Sequence, residues 1–339
     1  MLLVWMPLFD SPKLFLQEDH DMAKTYSWWD DRRNNPMTIT RDVEKEKKEE
    51  YIFETPKSIY NYFDSQLFGC EEYKKAMATA VWSALKLRTK TNFLVIGPSG
   101  CGKTELARIF AKVYYNTTIF DATSATPVSY KGNVTISESL LQVDTSENAQ
   151  PPWVFIDEVD KAILKDKECG PMIMNELLKM TEGGKLYVGR DERHRELVDT
   201  SKVNFVFLGT FSALKKERKN SIGFSAGTEI VSKSSPITRN SLHESGLISD
   251  EFLGRINGGI LEVEPMDEIK AGKLLEDERY SPIKRLEKMY RINIEVTEEK
   301  RHELVSMTSK YGVRGIYSEL QSRINDAIFE DCTVKNIVI

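Results

Sequence analysis

The residues that could do chemistry begin with Gly97-Pro98-Ser99-Gly100-Cys101-Gly102-Lys103-Thr104, a G-x-x-x-x-G-K-T loop. Glycines at this spacing let backbone N–H groups close around phosphate oxygens with no Cβ in the way. Lys103 can reach the outer phosphates of a nucleoside triphosphate, and the Thr104 hydroxyl can ligate Mg²⁺. Glu105, next in the chain, is counted with this binding stretch. Further on, the apolar run Trp153-Val154-Phe155-Ile156 ends in two carboxylates, Asp157 and Glu158. Downstream of a phosphate loop, Asp157 fits a Mg²⁺ holder, directly or through water. Glu158 fits the group that orients and deprotonates an attacking water, since γ-phosphate hydrolysis needs a positioned nucleophile and little other covalent chemistry. The plain alternatives are an accidental glycine turn and two solvated acids at a strand end. They fit less well because a strand reads before the loop and a helix after it.

These groups need a scaffold that brings separate segments to one edge. Residues 93–96 form a short unbroken apolar run, as expected of a parallel strand buried on both faces. The helix starting near Lys103 would point its positive end at the same phosphates. Further strands are expected at 117–120, 153–156 and 203–208, with a hairpin over 185–199. Between them, helical spacing marks residues 71–87, where Tyr73, Ala76, Met77, Ala80, Val81, Ala84 and Leu85 form a core-facing stripe. Another helix opens at Gly170-Pro171. This alternation indicates an α/β fold with a parallel sheet flanked by helices. After about Pro265 the strands nearly stop, and helices are expected over 267–290, 297–309 and 313–330, the last with Ile316, Leu320, Ile324 and Ile328 on one face. A final strand is expected at 336–339. The layout is a poorly ordered leader or linker over 1–54, a large α/β domain over 55–265 and a smaller, mainly helical domain over 266–339.

The chain has 339 residues and a net charge of −5, and no basic tract dominates it, so nucleic acid is not indicated as the main partner. Its four cysteines, Cys70, Cys101, Cys169 and Cys332, form no C-x-x-C pair, and neither a zinc knuckle nor a disulfide framework is implied. A reducing, cytoplasmic setting fits best. The opening MLLVWMPLFDSPKLFL lacks a basic start, and Pro7 and Asp10 interrupt its apolar run, so it reads as a leader rather than a cleaved signal, or the start lies at Met22. No other stretch approaches the apolar length of a membrane span.

With the phosphate loop, Asp157-Glu158 and several longer segments in order, the sequence resembles the AAA+ ATPases of the Clp/Hsp100 family, within it the ClpX branch of unfoldases. The segments are TPKSIYNYFDSQLFG, LVDTSKVNFVFLGTFSALKK, SIGF, GLISDEFLGRI and YGVRGIYSEL, and the likeness runs from about Thr55 to Asp331. It implies that Leu67 and Phe68 offer backbone contacts to adenine, with Cys70 replacing the family's Gln. It makes Arg255 an arginine finger acting on a neighbouring subunit's ATP in a ring, usually a hexamer, and Arg314 the sensor-2 arginine of the small domain. Thr210 is the candidate for sensor 1. Tyr130-Lys131-Gly132 align with a pore loop that grips polypeptide, Lys131 standing where the family has Val, and a second pore loop falls within 189–195. Ile222-Gly223-Phe224, an apolar island in a Ser/Lys-rich stretch, matches the tip that docks on the ClpP peptidase; the alternative is that it folds back on its own domain. The family's zinc-binding N-terminal domain has no counterpart, as no cysteine precedes Cys70.

The resemblance therefore implies a ring-forming ATP- and Mg²⁺-dependent unfoldase with protein substrates, a ClpP-like peptidase as partner and no protease site of its own. His20, His194, His243 and His302 are scattered, without a serine-protease context. The competing expectations are a stand-alone remodelling ATPase and a nucleotide-gated scaffold.

Overall fold

The computed structural model describes residues 51–127, 134–165, 167–189, 195–212, 237–246 and 248–339. The chain divides into two compact units, Met1–Lys48 and Glu49–Ile339, and every described residue lies in the second.

Helix α1 (Pro56–Gln66) starts cleanly because Thr55 and Ser58 cap each other's backbone N–H reciprocally, with proline at the first helical position. α2 (Glu71–Leu87) follows and buries Tyr73, Met77, Ala80, Val81 and Ala84 of the expected stripe. Five strands then build one parallel sheet. β1 (Asn92–Ile96), β2 (Thr117–Asp121), β3 (Trp153–Asp157), β6 (Asn204–Gly209) and β7 (Gly259–Glu262) lie in the order β2-β3-β6-β1-β7. Helix α3 (Lys103–Ala111) follows β1, while α4 (Val159–Ile163) and α5 (Cys169–Glu182) follow β3. An antiparallel hairpin, β4 (Lys185–Val188) with β5 (Glu196–Asp199), precedes β6. Two short helices, α6 (Arg239–Glu244) and α7 (Asp250–Arg255), lead into β7.

The central strands read as continuous apolar runs because both faces of the sheet are covered. Leu94, Ile96, Val154, Ile156, Phe205 and Phe207 join one core, and the alternate residues Phe93, Val95, Trp153, Phe155, Val206 and Leu208 join the other. A third core belongs to the C-terminal helices, with Leu286, Leu304, Ile316, Leu320 and Ile324 at its centre. These helices are α8 (Glu268–Glu276), α9 (Pro282–Tyr290), α10 (Glu298–Tyr311) and α11 (Val313–Glu330); a small parallel pair, β8 (Asn293–Glu295) with β9 (Asn336–Val338), accompanies them.

Two expectations need correction. The single helix expected over 267–290 is two, because Pro282 cannot donate to a preceding turn and holds Ser281 out of helical geometry, at ψ 124°. Strands β7 and β8 were not anticipated. β7 is a half-buried edge strand that begins at a glycine, so it shows no run of core residues to read. Because the sheet is parallel, the turns after β1, β3 and β6 all leave its C-terminal edge, where open α/β sheets bind ligands.

Candidate functional site

The phosphate loop leaves β1 at Gly97 and enters α3 at Lys103. Lys103 is buried and turns its ammonium onto the loop's own carbonyls, donating to Gly97 O at 2.7 Å and Pro98 O at 2.8 Å. Thr104 Oγ1 donates to Asp157 Oδ2 at 2.7 Å. The two oxygens expected to face a divalent cation thus already sit side by side. A hydroxyl and a carboxylate are hard donors of the kind Mg²⁺ accepts while keeping several waters, so the pair fits that ion. Among the described residues no group of three or more His, Cys, Asp or Glu is clustered to cage a metal.

Asp157 ends β3 as expected, but Glu158 does not continue the strand. It caps α4 with a left-handed backbone, φ 55°. A non-glycine residue there is strained. Asp157 Oδ1 accepts the Glu158 N–H at 2.9 Å, which stabilises the turn. Glu158 Oε2 pairs with Lys161 Nζ at 2.7 Å, and this bond is the leading cause holding the lysine above its ordinary range.

Asp157, Glu158 and Thr210, which follows β6, line a cavity of about 380 Å³ together with residues 99–105 of the phosphate loop and its helix. The opposite wall carries Leu67, Phe68, Met266, Leu274, Tyr280 and Arg285, with Arg314 at the mouth of α11. The far end is apolar and aromatic, suited to a flat base; Phe68 and Tyr280 meet edge to face at 5.7 Å.

The turn at this end discriminates between the two residues expected to read adenine. Leu67 N–H donates to Phe63 O at 2.9 Å, and Leu67 O accepts from Lys74 Nζ at 3.3 Å, so its backbone is committed. Phe68 has no backbone hydrogen bond to another described residue, which leaves it as the group that can face a base. Lys74 is fully buried and also binds Asp64 at 2.6 Å and Glu71 at 3.1 Å. Cys70, with a left-handed backbone, spans from this turn to the phosphate loop, its thiol donating to Cys101 O at 3.1 Å. Burial, and then the neighbouring Cys101, push its pKa up to about 12, so it remains a neutral donor.

The C-terminal helices close the cavity. Gly312 precedes α11 with φ 61°, and a Cβ there would lie 3.0 Å from Gly100 Cα in the phosphate loop. Only glycine allows the two backbones to approach this closely. Arg314 lies in the first turn of α11. Tyr280 donates its hydroxyl to Asp64 O, and Arg285 Nη2 donates to Gln66 O at 2.9 Å.

Arg255 stands apart from this cavity. Its carbonyl accepts from Asn92 Nδ2 at 2.9 Å, at the start of β1, whereas the phosphate loop leaves the end of that strand. At about 3.3 Å per residue the two points are roughly 13 Å apart. Among the described residues its guanidinium pairs with Glu182 at a loose 3.8 Å. Nearby, Lys90 donates to Thr181 O at 3.2 Å and Thr200 O at 3.0 Å.

Tyr130, Lys131 and Gly132, the tip of the 189–195 stretch, and Ile222, Gly223 and Phe224 lie outside the described residues. Sequence reasoning missed Lys74, Tyr280 and Arg285. A lysine within the buried stripe of α2 was a readable signal. The contacts of Tyr280 and Arg285 span 216 and 219 residues and left none. Among the described residues no helix is long and apolar enough to cross a membrane.

Residues 88–258 match the AAA domain family, Cdc48 subfamily. Over longer spans the chain is similar to proteins named ATP-dependent Clp protease ATP-binding subunit ClpX. It is 30% identical to ClpX 2 of Wolinella succinogenes over 328 residues, which cover 86% of this chain and 82% of that protein. It is 28% identical to ClpX of Porphyromonas gingivalis, covering 81% and 77%, and 26% identical to ClpX of Azotobacter vinelandii, covering 89% and 78%. With the domain match spanning half its length and the longer alignments most of it, this chain belongs to the AAA+ ATPases as a ClpX-like member.

Proposed function

We propose that this chain is an ATP-dependent protein unfoldase and translocase. Rings of it bind Mg-ATP, hydrolyse it and thread polypeptide through a central pore, with a ClpP-like peptidase as receiving partner. The observation that carries the reading is the meeting of Thr104, Asp157 and Glu158 beside the phosphate loop. In it Lys103 exchanges the carbonyls of Gly97 and Pro98 for the outer phosphates. Thr104 and Asp157 would hold Mg²⁺, which would supply positive charge to offset that of the triphosphate. Glu158 releases Lys161 and orients the attacking water. The distance of Arg255 from its own chain's phosphate loop supports its acting on a neighbour's nucleotide, where a guanidinium stabilises transition-state charge. Arg314 reports the nucleotide to a small domain, residues 266–339, that moves against a large one, residues 55–265.

The peptidase partner enters through the names of the relatives and through Ile222-Gly223-Phe224. The grip of Tyr130-Lys131-Gly132 on polypeptide rests on sequence alone, as does the cytoplasmic setting. The purified protein should hydrolyse ATP at concentrations that form oligomers. Glu158→Gln should bind ATP yet turn over at least about 100-fold more slowly, the usual worth of a general base. With ClpP added, a fluorescent substrate should be degraded, and Phe224→Ala should abolish degradation while sparing ATPase activity. Absence of hydrolysis in assembled protein would sink the ATPase reading. Hydrolysis without ClpP-dependent degradation would remove the peptidase alone.

A further inference from the structure

One layer behind the base end of the cavity, α2 carries a cation that the roles above do not use. Lys74 is 0% exposed, and an ammonium has three N–H groups to place. They go to Asp64 Oδ1 at 2.6 Å, Glu71 Oε1 at 3.1 Å and Leu67 O at 3.3 Å. Glu71 is held by its other oxygen, which accepts from the Tyr60 hydroxyl. The third bond of the ammonium reaches the backbone of the turn itself. Leu67 ends α1 in an extended conformation, φ −129° and ψ 125°, and Gly69 and Cys70 then reverse the chain with left-handed backbones, φ 72° and 59°. α2 starts at once after this reversal. Lys74, whose own N–H donates to Cys70 O at 2.8 Å, is thereby turned back onto a carbonyl seven residues earlier.

A carbonyl drawn to a buried ammonium is not on offer to a base. Leu67 N–H is likewise taken, by Phe63 O at 2.9 Å. Phe68 thus brings one N–H and one C=O to the cavity wall. Purines differ in what they ask of such a wall. Adenine presents one amino donor and one ring-nitrogen acceptor, which the pair on one residue can meet. Hypoxanthine presents one acceptor, O6, and one donor, N1–H, which the same pair can also meet. Guanine adds the 2-amino group, a second donor with no second acceptor to take it. A buried polar group left unpaired loses its water without compensation. Such a mismatch rejects a ligand more strongly than a merely poorer fit does.

We propose that Lys74 is a positioning residue that sets which purine the cavity accepts: by holding the Leu67 carbonyl away from the base it leaves a single acceptor, enough for adenine and too few for guanine. The proposal rests on the reading of the cavity as a nucleotide site and deepens it. The parent should bind GDP at least about tenfold more weakly than inosine diphosphate (IDP), the usual effect of one buried donor left unpaired. Lys74→Met frees the Leu67 carbonyl as a second acceptor, and should bring GDP to within about threefold of IDP. Asp64 and Glu71 are 39% and 61% exposed in their side chains, so water can reach both once the lysine is gone. Glu71→Gln disturbs the same ammonium but leaves its bond to Leu67 O, and should keep the parental rejection of GDP.

The measurement is competition of ADP, IDP and GDP against a ribose-labelled fluorescent ADP. Retained ADP binding certifies that each variant is folded. The ratio of GDP to IDP affinity is the readout that a merely structural lysine would not move. A parent that binds GDP as well as IDP would overturn the proposal, and this comparison decides alone should Lys74→Met fail to bind ADP. A folded Lys74→Met protein that still rejects GDP would overturn it as well. So would a Glu71→Gln protein that loses the rejection, since any disturbance of the network would then suffice. A parent that binds none of the three nucleotides would defeat the nucleotide reading and the proposal with it, whereas one that binds ADP without telling GDP from IDP defeats the proposal alone.

Discussion

Lys90, beside Arg255 at the end of β1 away from the cavity, shows how burial decides the behaviour of a charge. Burial first, and then the nearby Arg255, lower its pKa from 10.5 to about 8. Below about pH 8 the lysine is charged in both folded and unfolded chains, and the cost of keeping that charge half-buried is present in full. Between about 8 and 10.5 the unfolded chain holds more protons than the folded one, so the contribution of Lys90 to stability rises with pH. The neutral amine still donates to Thr181 O and Thr200 O, so deprotonation removes charge without breaking these bonds. The melting temperature of the parent relative to Lys90→Met should therefore climb across that window. A difference that stays flat from neutral pH to above 10 would contradict the assignment. At this scale the sequence was legible where a residue's placement follows from its immediate neighbours, as for Lys103, Thr104 and Asp157, which meet at one cavity. It was not legible where burial decides. Asp160 and Lys74 look like ordinary charges on helical faces, and nothing local says that Leu67 spends its backbone on Phe63 and Lys74 while Phe68 does not.

At the scale of elements, apolar runs covered on both faces announced β1, β3 and β6, and helical stripes announced α2 and α11. The half-buried β7, by contrast, is recruited by the edge of β1 more than by any pattern of its own. The junction of α10 with α11 has the most at stake. Gly312 combines φ 61° and ψ −164°, a region open essentially to glycine alone, with the 3.0 Å approach to Gly100. Gly312→Ala should cost about 1–3 kcal/mol from backbone strain. It should also weaken nucleotide binding, because relief can come only by moving α11 away from the phosphate loop. Thermal melts with and without ADP would separate the two effects. Unchanged nucleotide affinity in a destabilised protein would mean that the contact is structural only.

Over the whole molecule, the turn expected to face the base is held largely by residues far along the chain. Asp64 O is bound by Tyr280, in the turn between α8 and α9, Gln66 O by Arg285 of α9, and Leu67 O by Lys74 from beside the turn itself. Tyr280→Phe keeps the ring against Phe68 and deletes only the hydroxyl, and Arg285→Gln deletes the guanidinium. Each should cost about 1 kcal/mol, the usual net worth of one hydrogen bond, read as roughly fivefold weaker ATP and ADP binding. Equilibrium titration with a fluorescent nucleotide checks this, and parental affinity in both variants would show that the turn holds its shape unaided. The last consequence concerns the two ends of β1, where Asn92 anchors the Arg255 backbone and Ile96 feeds the phosphate loop. Under the proposed role of Arg255, a chain that gives a guanidinium from one end of a strand and needs one at the other would join its copies head to tail. Such a heterologous contact closes into a circle or runs on without end. A closed circle of any number has as many complete sites as subunits, while an open arc always has one fewer, so each break in symmetry silences one site.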